Sequence, residues 1–188
     1  MSTGYQITEQ DKLHYLTLQV VYWVDIFTRQ RYRDIIIDSL KYSQSNKGLE
    51  IFAYVIMSNH IHIIVRSNTD NLSQTIGDIK KFTSKKIINS IKEEPESRRE
   101  WLLFMFERAA KRHKRNKHYQ FWTHENHAIH LYSEKFIKER LMYIHDNPVK
   151  AGIVEQPEDY IYSSARNYAD LENVLDIDLL SFTWKTYT

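Results

Sequence analysis

Two histidines one residue apart, His60-Ile61-His62, are the residues of this chain best placed to do chemistry. They lie in an apolar, β-branched stretch, Tyr54 to Arg66, that predicts a β-strand. Because side chains alternate between the faces of a strand, the two imidazoles would point the same way, with Cα atoms roughly 7 Å apart. At that separation they can bind one metal ion, but they can also be polar residues on a half-exposed strand. The spacing alone leaves both interpretations open.

The composition restricts which other residues can complete a site. The chain has 188 residues, 42% of them hydrophobic, which is enough for one domain with a buried core. It has no cysteine, which excludes disulfides, thiolate metal sites and cysteine nucleophiles and leaves His, Asn, Gln, Asp and Glu as metal ligands. The N-terminus lacks a basic segment followed by an apolar one, and no apolar run reaches membrane-spanning length. The sequence therefore predicts a cytoplasmic protein that makes no membrane contact.

Charge is distributed unevenly along the chain, although the formal net charge is only +2. Eight basic and two acidic residues lie between Arg98 and His118, whereas seven acidic residues and one basic residue lie between Glu155 and Asp178. This asymmetry predicts a polyanionic partner on one side of the molecule, and a solvated helix face is the alternative.

The order of elements that must position the histidines is strand, helix, strand, strand, helix, strand. The predicted bounds are Leu13–Phe27, Thr28–Ser45, Leu49–Met57, His60–Arg66, Asn71–Lys92, and an extended stretch within Tyr119–Trp122 or Ala128–Leu131. This order predicts an α+β, ferredoxin-like (split βαβ) antiparallel sheet with helices on one face. We expect residues 1–188 to form a single domain, with a basic insert at 95–118 and a C-terminal tail at 169–188.

A later helix carries a second candidate group. Ser133 is its predicted N-cap, and Pro148 is expected to stop it after about Asp146. Tyr143 lies at the edge of its apolar stripe and Asn147 lies four residues further on, so the two side chains can point at one place. A packing tyrosine and a helix-capping asparagine are the plain alternatives.

Taken together, these segments resemble the REP-associated tyrosine transposases, which are relatives of the IS200-type transposases within the HUH (His-hydrophobe-His) nucleases. The resemblance extends over about Leu13 to Tyr168 and rests on three motifs. These are Met57-Ser-Asn-His-Ile-His62, the Phe121-Trp122 pair, and Tyr143-Ile-His-Asp-Asn-Pro-Val-Lys-Ala-Gly-Ile-Val154. It implies a ferredoxin-like fold with the nucleophile-bearing helix packed beside the sheet.

The resemblance also implies a role for each site residue. His60, His62 and Asn147 would bind a divalent ion, Mg²⁺ or Mn²⁺, Tyr143 would be the nucleophile, and His127 would support the site. The implied activity is that of a metal-dependent single-stranded DNA endonuclease and strand transferase. It would cleave at hairpin-forming repeats through a 5′-phosphotyrosine intermediate and act as a monomer or a homodimer.

Basic residues on and after the second helix are the predicted DNA contacts, because phosphate neutralisation dominates affinity for nucleic acids. They are Lys80, Lys81, Lys85, Lys86, Arg108, Lys111, Arg112, Lys114, Arg115 and Lys117. Two other functions stay open. One is a domesticated protein that binds DNA hairpins without cutting them. The other is a His-metal hydrolase that uses bound water, which would need further His or carboxylate ligands but not Tyr143.

Overall fold

Four antiparallel strands form the sheet that carries the histidine pair. They are β1 (His14–Gln19), β2 (Leu49–Ile56), β3 (His60–Ser67) and β4 (Ile129–His130). Their order is β2-β3-β1-β4 in the computed structural model, which describes residues 7–112 and 118–182. Each pair of neighbours is antiparallel, so the predicted ferredoxin-like arrangement is confirmed.

Five helices accompany the sheet. They are α1 (Gln30–Lys47), α2 (Leu72–Glu93), α3 (Arg99–Lys111), α4 (Glu134–Lys150) and the short α5 (Ala165–Tyr168). α1 packs against α2 and β2, whereas α4 contacts β2 and β3. None of the helices in the described part of the chain is long and apolar enough to cross a bilayer.

The aliphatic side of the two central strands fixes how they pair. Leu16 lies opposite Ile63 and Leu18 lies opposite Ile61, and each of these four side chains is at most 2% exposed. The same register places the histidines of β3 on the other side of the sheet. A slip of one residue would move the histidines into the aliphatic core, so hydrophobic burial strongly favours this register.

The prediction that Pro148 stops the last long helix is wrong, because α4 continues to Lys150. Pro148 lies in the final turn, where the missing N–H removes only one intrahelical bond. The helix ends where the N–H of Gly152, at φ 68°, bonds the carbonyl of Val149. The predicted N-cap is confirmed, since the Ser133 hydroxyl accepts a bond from the N–H of Phe136.

Two extended stretches differ from the prediction. β1 ends at Gln19, and the chain then turns through short 3-10 segments in which Tyr22 and Trp23 have positive φ. Of the two candidates for the fourth strand, the later one supplies β4, and the earlier one contributes a single bridge between Val20 and Trp122. Both candidates are apolar and short, so local pattern could not choose between them.

The insert and the tail are packed onto the fold in their described parts. α3 lies within the insert and buries Leu102 and Phe106 completely. In the tail, Leu175 is fully buried and the N–H of Asp178 donates to the carbonyl of Ile51 on β2. The division into one domain, an insert and a tail stays a prediction.

Candidate active site

His62 is held by two hydroxyl groups from the neighbouring strand. Its Nδ1 lies 2.7 Å from the Tyr15 hydroxyl and 2.9 Å from the Thr17 hydroxyl. The register makes this possible, because Thr17 lies directly opposite His62 and Tyr15 lies two residues further along the same face. The Nε2 of His62 is buried and has no hydrogen-bond partner within residues 7–112 and 118–182. A buried nitrogen without a partner is unusual and needs an explanation.

His60 lies beside it, with 4.6 Å between the two ring centroids. Its Nδ1 is 2.6 Å from the Oδ1 of Asn59, in the turn between β2 and β3. Because an amide oxygen accepts hydrogen bonds, this contact assigns the proton to Nδ1 and leaves the lone pair on Nε2. Trp23 closes one side of the pair, with its ring edge-on to His60 at 5.9 Å.

Both histidines are in the neutral form that binds metal ions. Burial lowers the pKa of His60. Burial, together with the nearby His60 and Arg140, lowers the pKa of His62 to about 3. Neutral imidazoles do not have to lose a proton to bind a cation, so the site is ready for one at physiological pH.

Tyr143 reaches the pair from α4. Its ring centroid lies 5.3 Å from that of His62, so α4 packs on the histidine side of the sheet. Leu141 and Ile144 are buried and anchor the helix, whereas Tyr143, at the edge of the apolar stripe, is 39% exposed. The Tyr143 ring therefore contacts His62 on one side and is partly open to solvent on the other.

Asn147 lies one turn beyond Tyr143, and its side-chain amide donates to the Tyr143 carbonyl at 2.9 Å. The structure thus brings His60, His62 and Tyr143 together by ring contacts and holds the Asn147 amide against its own helix. The role of Asn147 as a third ligand stays a prediction.

The donor set fits a divalent ion that shares its coordination with substrate or water. Two adjacent imidazoles each have an Nε2 available, and their Nδ1 atoms are held by neighbouring side chains, as is usual for metal-bound histidines. Among the described residues, no group of three or more His, Cys, Asp or Glu side chains could hold a metal ion. A hydrolase that binds its ion through a complete set of His and carboxylate ligands is therefore not supported by this arrangement.

The predicted DNA contacts on α2 fall into two groups. Lys81, Lys85 and Lys86 are exposed. Lys80 differs, because its ammonium donates to the Thr123 carbonyl and to the Asn126 side chain, each at 2.7 Å, and burial lowers its pKa to about 8. Lys80 thus joins α2 to the loop that contains Thr123 and Asn126. For Lys80 to contact DNA as predicted, these hydrogen bonds would have to break.

Arg108 and Lys111 on α3, and Arg112 directly after it, are exposed, and Lys111 pairs with Glu107 at 2.8 Å. Lys114, Arg115 and Lys117 lie outside the described residues.

Two adjoining grooves lie near these cations, and the second one reaches the strand residue opposite His60. The first, of about 560 Å³, lies between α2 and residues 118–124 and is lined by Lys81, Lys85 and Lys92, with the Lys92 ammonium 4.6 Å from the Tyr119 ring. The second, of about 460 Å³, shares Gln120, Thr123 and His124 with the first and extends to Gln19, the residue opposite His60. His127 and Arg112 line this second groove. Phe121 and Trp122 are 1% and 5% exposed, so they belong to the core.

Sequence reasoning missed the residues that orient the histidines: Tyr15, Thr17 and Asn59. Tyr15 and Thr17 alternate along β1, which is the signal of a shared face, but their register against β3 cannot be read from local pattern. His145, two residues after Tyr143, is half-buried and bonds a neighbouring side chain. Its Nε2 lies 2.9 Å from the Ser164 hydroxyl, and burial lowers its pKa to about 4.

Comparison with known proteins gives a family match and eight matching chains among solved structures, two of which follow. A family model for IS200-like transposases matches residues 10–109, which include both histidines and end before α4. A solved REP-associated tyrosine transposase bound to a REP hairpin has a TM-score of 0.64 at 19% identity, covering 97% of this chain and 96% of that chain. A protein from Deinococcus radiodurans described as a transposase has a TM-score of 0.42 at 15% identity, covering 78% of this chain and 97% of that chain. No curated protein matches significantly. The first of the two structures shows that the fold is shared.

Proposed function

The chain belongs to the family of IS200-like transposases, and we propose that it cleaves and rejoins single-stranded DNA at hairpin-forming repeats, with Tyr143 as the nucleophile. One observation carries this proposal. The Tyr143 ring lies 5.3 Å from His62, whose Nε2 is buried and unpartnered within the described residues. A nucleophile beside a prepared cation site is the arrangement that phosphodiester chemistry needs.

The reaction exchanges one phosphodiester for another. The Tyr143 oxygen bonds to phosphorus while the bond from phosphorus to the 3′ oxygen breaks. The phenol proton passes to solvent, which the partly exposed side chain can reach, and the departing 3′ oxygen takes a proton from water. Because the tyrosine is left joined to the 5′ phosphate, a different 3′-OH can later reverse the step without ATP.

We propose that the Nε2 atoms of His60 and His62 hold Mg²⁺ or Mn²⁺, with Asn147 as the third protein ligand. The ion would polarise the phosphate and neutralise charge that develops as the bond to Tyr143 forms. Tyr15 and Thr17 keep the His62 ring in place through Nδ1, and Asn59 does the same for His60. For the amide oxygen of Asn147 to join them, its side chain must turn away from the Tyr143 carbonyl.

The exposed cations of α2 and α3 provide the proposed DNA contacts. Lys81 and Lys85 line the first groove, and Arg112 lines the second, which reaches Gln19, the residue opposite His60 on the neighbouring strand. A REP hairpin is bound by the solved transposase of the same fold, and we extend this kind of partner to the present chain. Assembly as a monomer or as a homodimer and a cytoplasmic location stay predictions.

A labelled-oligonucleotide gel tests the proposal. Hairpins from repeats flanking the gene, labelled at either end, are incubated with Mg²⁺ or Mn²⁺ and with wild type, Tyr143→Phe or Tyr132→Phe. Tyr132, which is 79% exposed and outside the site, provides the matched control. We expect a covalent adduct with wild type and Tyr132→Phe that is lost with EDTA and in Tyr143→Phe.

Two other outcomes would replace the proposal. Tight hairpin binding without any cleavage by wild type would favour the non-cleaving binding protein. Cleavage that survives in Tyr143→Phe without an adduct would favour metal-activated water as the nucleophile.

A further inference from the structure

Arg140 lies one turn before Tyr143 on α4, so both side chains project from the same face of the helix. Its guanidinium stacks over the rings of Tyr15, at 5.3 Å, and Phe136, at 5.1 Å. Tyr15 in turn lies edge-on to Tyr143, with 6.4 Å between centroids, and its hydroxyl contacts His62. The arginine therefore borders the ring cluster of the proposed active site, as does Lys150, whose ammonium lies 5.8 Å from the centre of the Tyr143 ring.

The described part of the chain provides no carboxylate to neutralise the charge of Arg140. Within residues 7–112 and 118–182, no carboxylate lies within 4.0 Å of its guanidinium, and its Nε is buried without a hydrogen-bond partner. Two lysines of the same helix are paired, Lys138 with Glu134 and Lys150 with Asp146. A partly buried cation without a counter-charge is costly, and an anionic ligand would compensate that cost.

We propose that Arg140 binds the scissile phosphate of the substrate strand and holds it against Tyr143, an inference that rests on the proposed function. A guanidinium presents a planar fork of donors that matches two oxygens of a phosphate. Contact with two aromatic rings fixes the plane of that fork before substrate arrives. The group can then bind both non-bridging oxygens with little loss of side-chain entropy.

A double substitution, in protein and in DNA, tests this contact. Binding is measured by fluorescence anisotropy with EDTA and in a Tyr143→Phe background, so that neither cleavage nor the metal ion contributes. The probes are hairpin oligonucleotides in which one phosphate at a time is replaced by an uncharged methylphosphonate. With the unmodified strand, Arg140→Ala should weaken binding about 10- to 100-fold, as expected for a charge-assisted hydrogen bond. With methylphosphonate at the scissile position, the two proteins should bind almost equally, because the partner of Arg140 has been removed.

Two further variants complete the design. Arg140→Lys keeps the charge but loses the fork, so it should recover part of the affinity while keeping the dependence on the scissile phosphate. Lys135→Ala removes an exposed cation from the same helix, and its effect should not depend on which phosphate is neutral. Circular dichroism melting of each variant confirms that it is folded.

The inference is overturned if Arg140→Ala weakens the binding of every probe equally. It is also overturned if the phosphate whose neutralisation cancels the effect of Arg140→Ala is not the one that wild type cleaves. Its failure differs from that of the proposed function. If wild type forms the Tyr143 adduct but no phosphate is coupled to Arg140, only this inference is wrong. If wild type forms no adduct, the proposed function is wrong. A phosphate that binds Arg140 could then no longer be identified as the one that is cleaved.

Discussion

Removing the two hydroxyls that hold His62 should weaken divalent-ion binding without unfolding the protein. The variants are Tyr15→Phe, Thr17→Val and the double variant, all on β1. Both hydroxyls reach the same nitrogen, at 2.7 and 2.9 Å, so either one alone can keep the ring oriented. Loss of such an outer partner typically reduces metal affinity about 10- to 100-fold. We therefore expect a small effect from each single change and most of that loss in the double variant, a non-additive result.

The cost in folding stability can be separated from the effect on the metal. Each deleted hydroxyl should lower the free energy of unfolding by about 1 kcal/mol, the usual contribution of one hydrogen bond. Tyr162→Phe is the matched control, because the Tyr162 side chain is also buried and its hydroxyl bonds Asp34 at 2.7 Å, away from the site. It should lose similar stability and keep the wild-type affinity for the ion.

The assay is isothermal titration of DNA-free protein with Mn²⁺, accompanied by urea unfolding of each variant. The reasoning fails if the double variant binds Mn²⁺ as wild type does. It also fails if Tyr162→Phe weakens binding to the same extent, because the effect would then be one of general stability.

Further expectations concern charge. Burial alone would raise the pKa of the Glu96 carboxyl, but hydrogen bonds and the adjacent Arg29 and Arg31 hold this pKa below the ordinary value of a glutamate. The ionised carboxylate therefore contributes its full stabilisation above the ordinary pKa, and this contribution is lost as the pH falls through the lower pKa of the folded state. Glu96→Gln should therefore lower the free energy of unfolding by about 1–3 kcal/mol at neutral pH and flatten its acid dependence in urea titrations; an unchanged acid limb would contradict this. Combining Lys81→Ala with Lys85→Ala should reduce the slope of log affinity against log salt concentration by about 0.7 for each phosphate contact that is lost. Lys41→Ala, on the exposed side of α1, is the control and should leave this slope unchanged. Lys80→Met should instead lower the free energy of unfolding by about 1–3 kcal/mol and leave the salt slope unchanged, because the Lys80 ammonium donates to Thr123 and Asn126 of the protein. A reduced slope would show that Lys80 contacts DNA.

Local periodicity was enough to predict the elements that carry the chemistry. Alternation of side chains places His60 and His62 on one face of β3, and the apolar stripe of α4 places Tyr143 at its edge. Element order then gives the sheet topology, because a split βαβ plan puts β1 beside β3. These inferences depend on short stretches of chain, which sequence pattern describes well.

Features that depend on distant residues could not be predicted in this way. The contact of Tyr15 with His62 joins residues 47 positions apart and depends on strand register. The bonds of Lys80 are made to a loop more than 40 residues later, so its environment could not be told from that of the neighbouring exposed lysines, and its contact with DNA stays a prediction. Pro148 was assigned from its general tendency to end helices, but in the last turn of α4 that tendency costs only one hydrogen bond.

The most direct test of the central claim is to identify the residue that becomes joined to DNA. Wild-type protein is reacted with a hairpin oligonucleotide, digested with protease and nuclease, and the nucleotide-bearing peptide is sequenced by mass spectrometry. We predict a 5′-linked phosphotyrosine at Tyr143, with a free 3′-OH on the released strand. A nucleotide linked to another residue, or a cleaved strand with no peptide attached, would contradict the account.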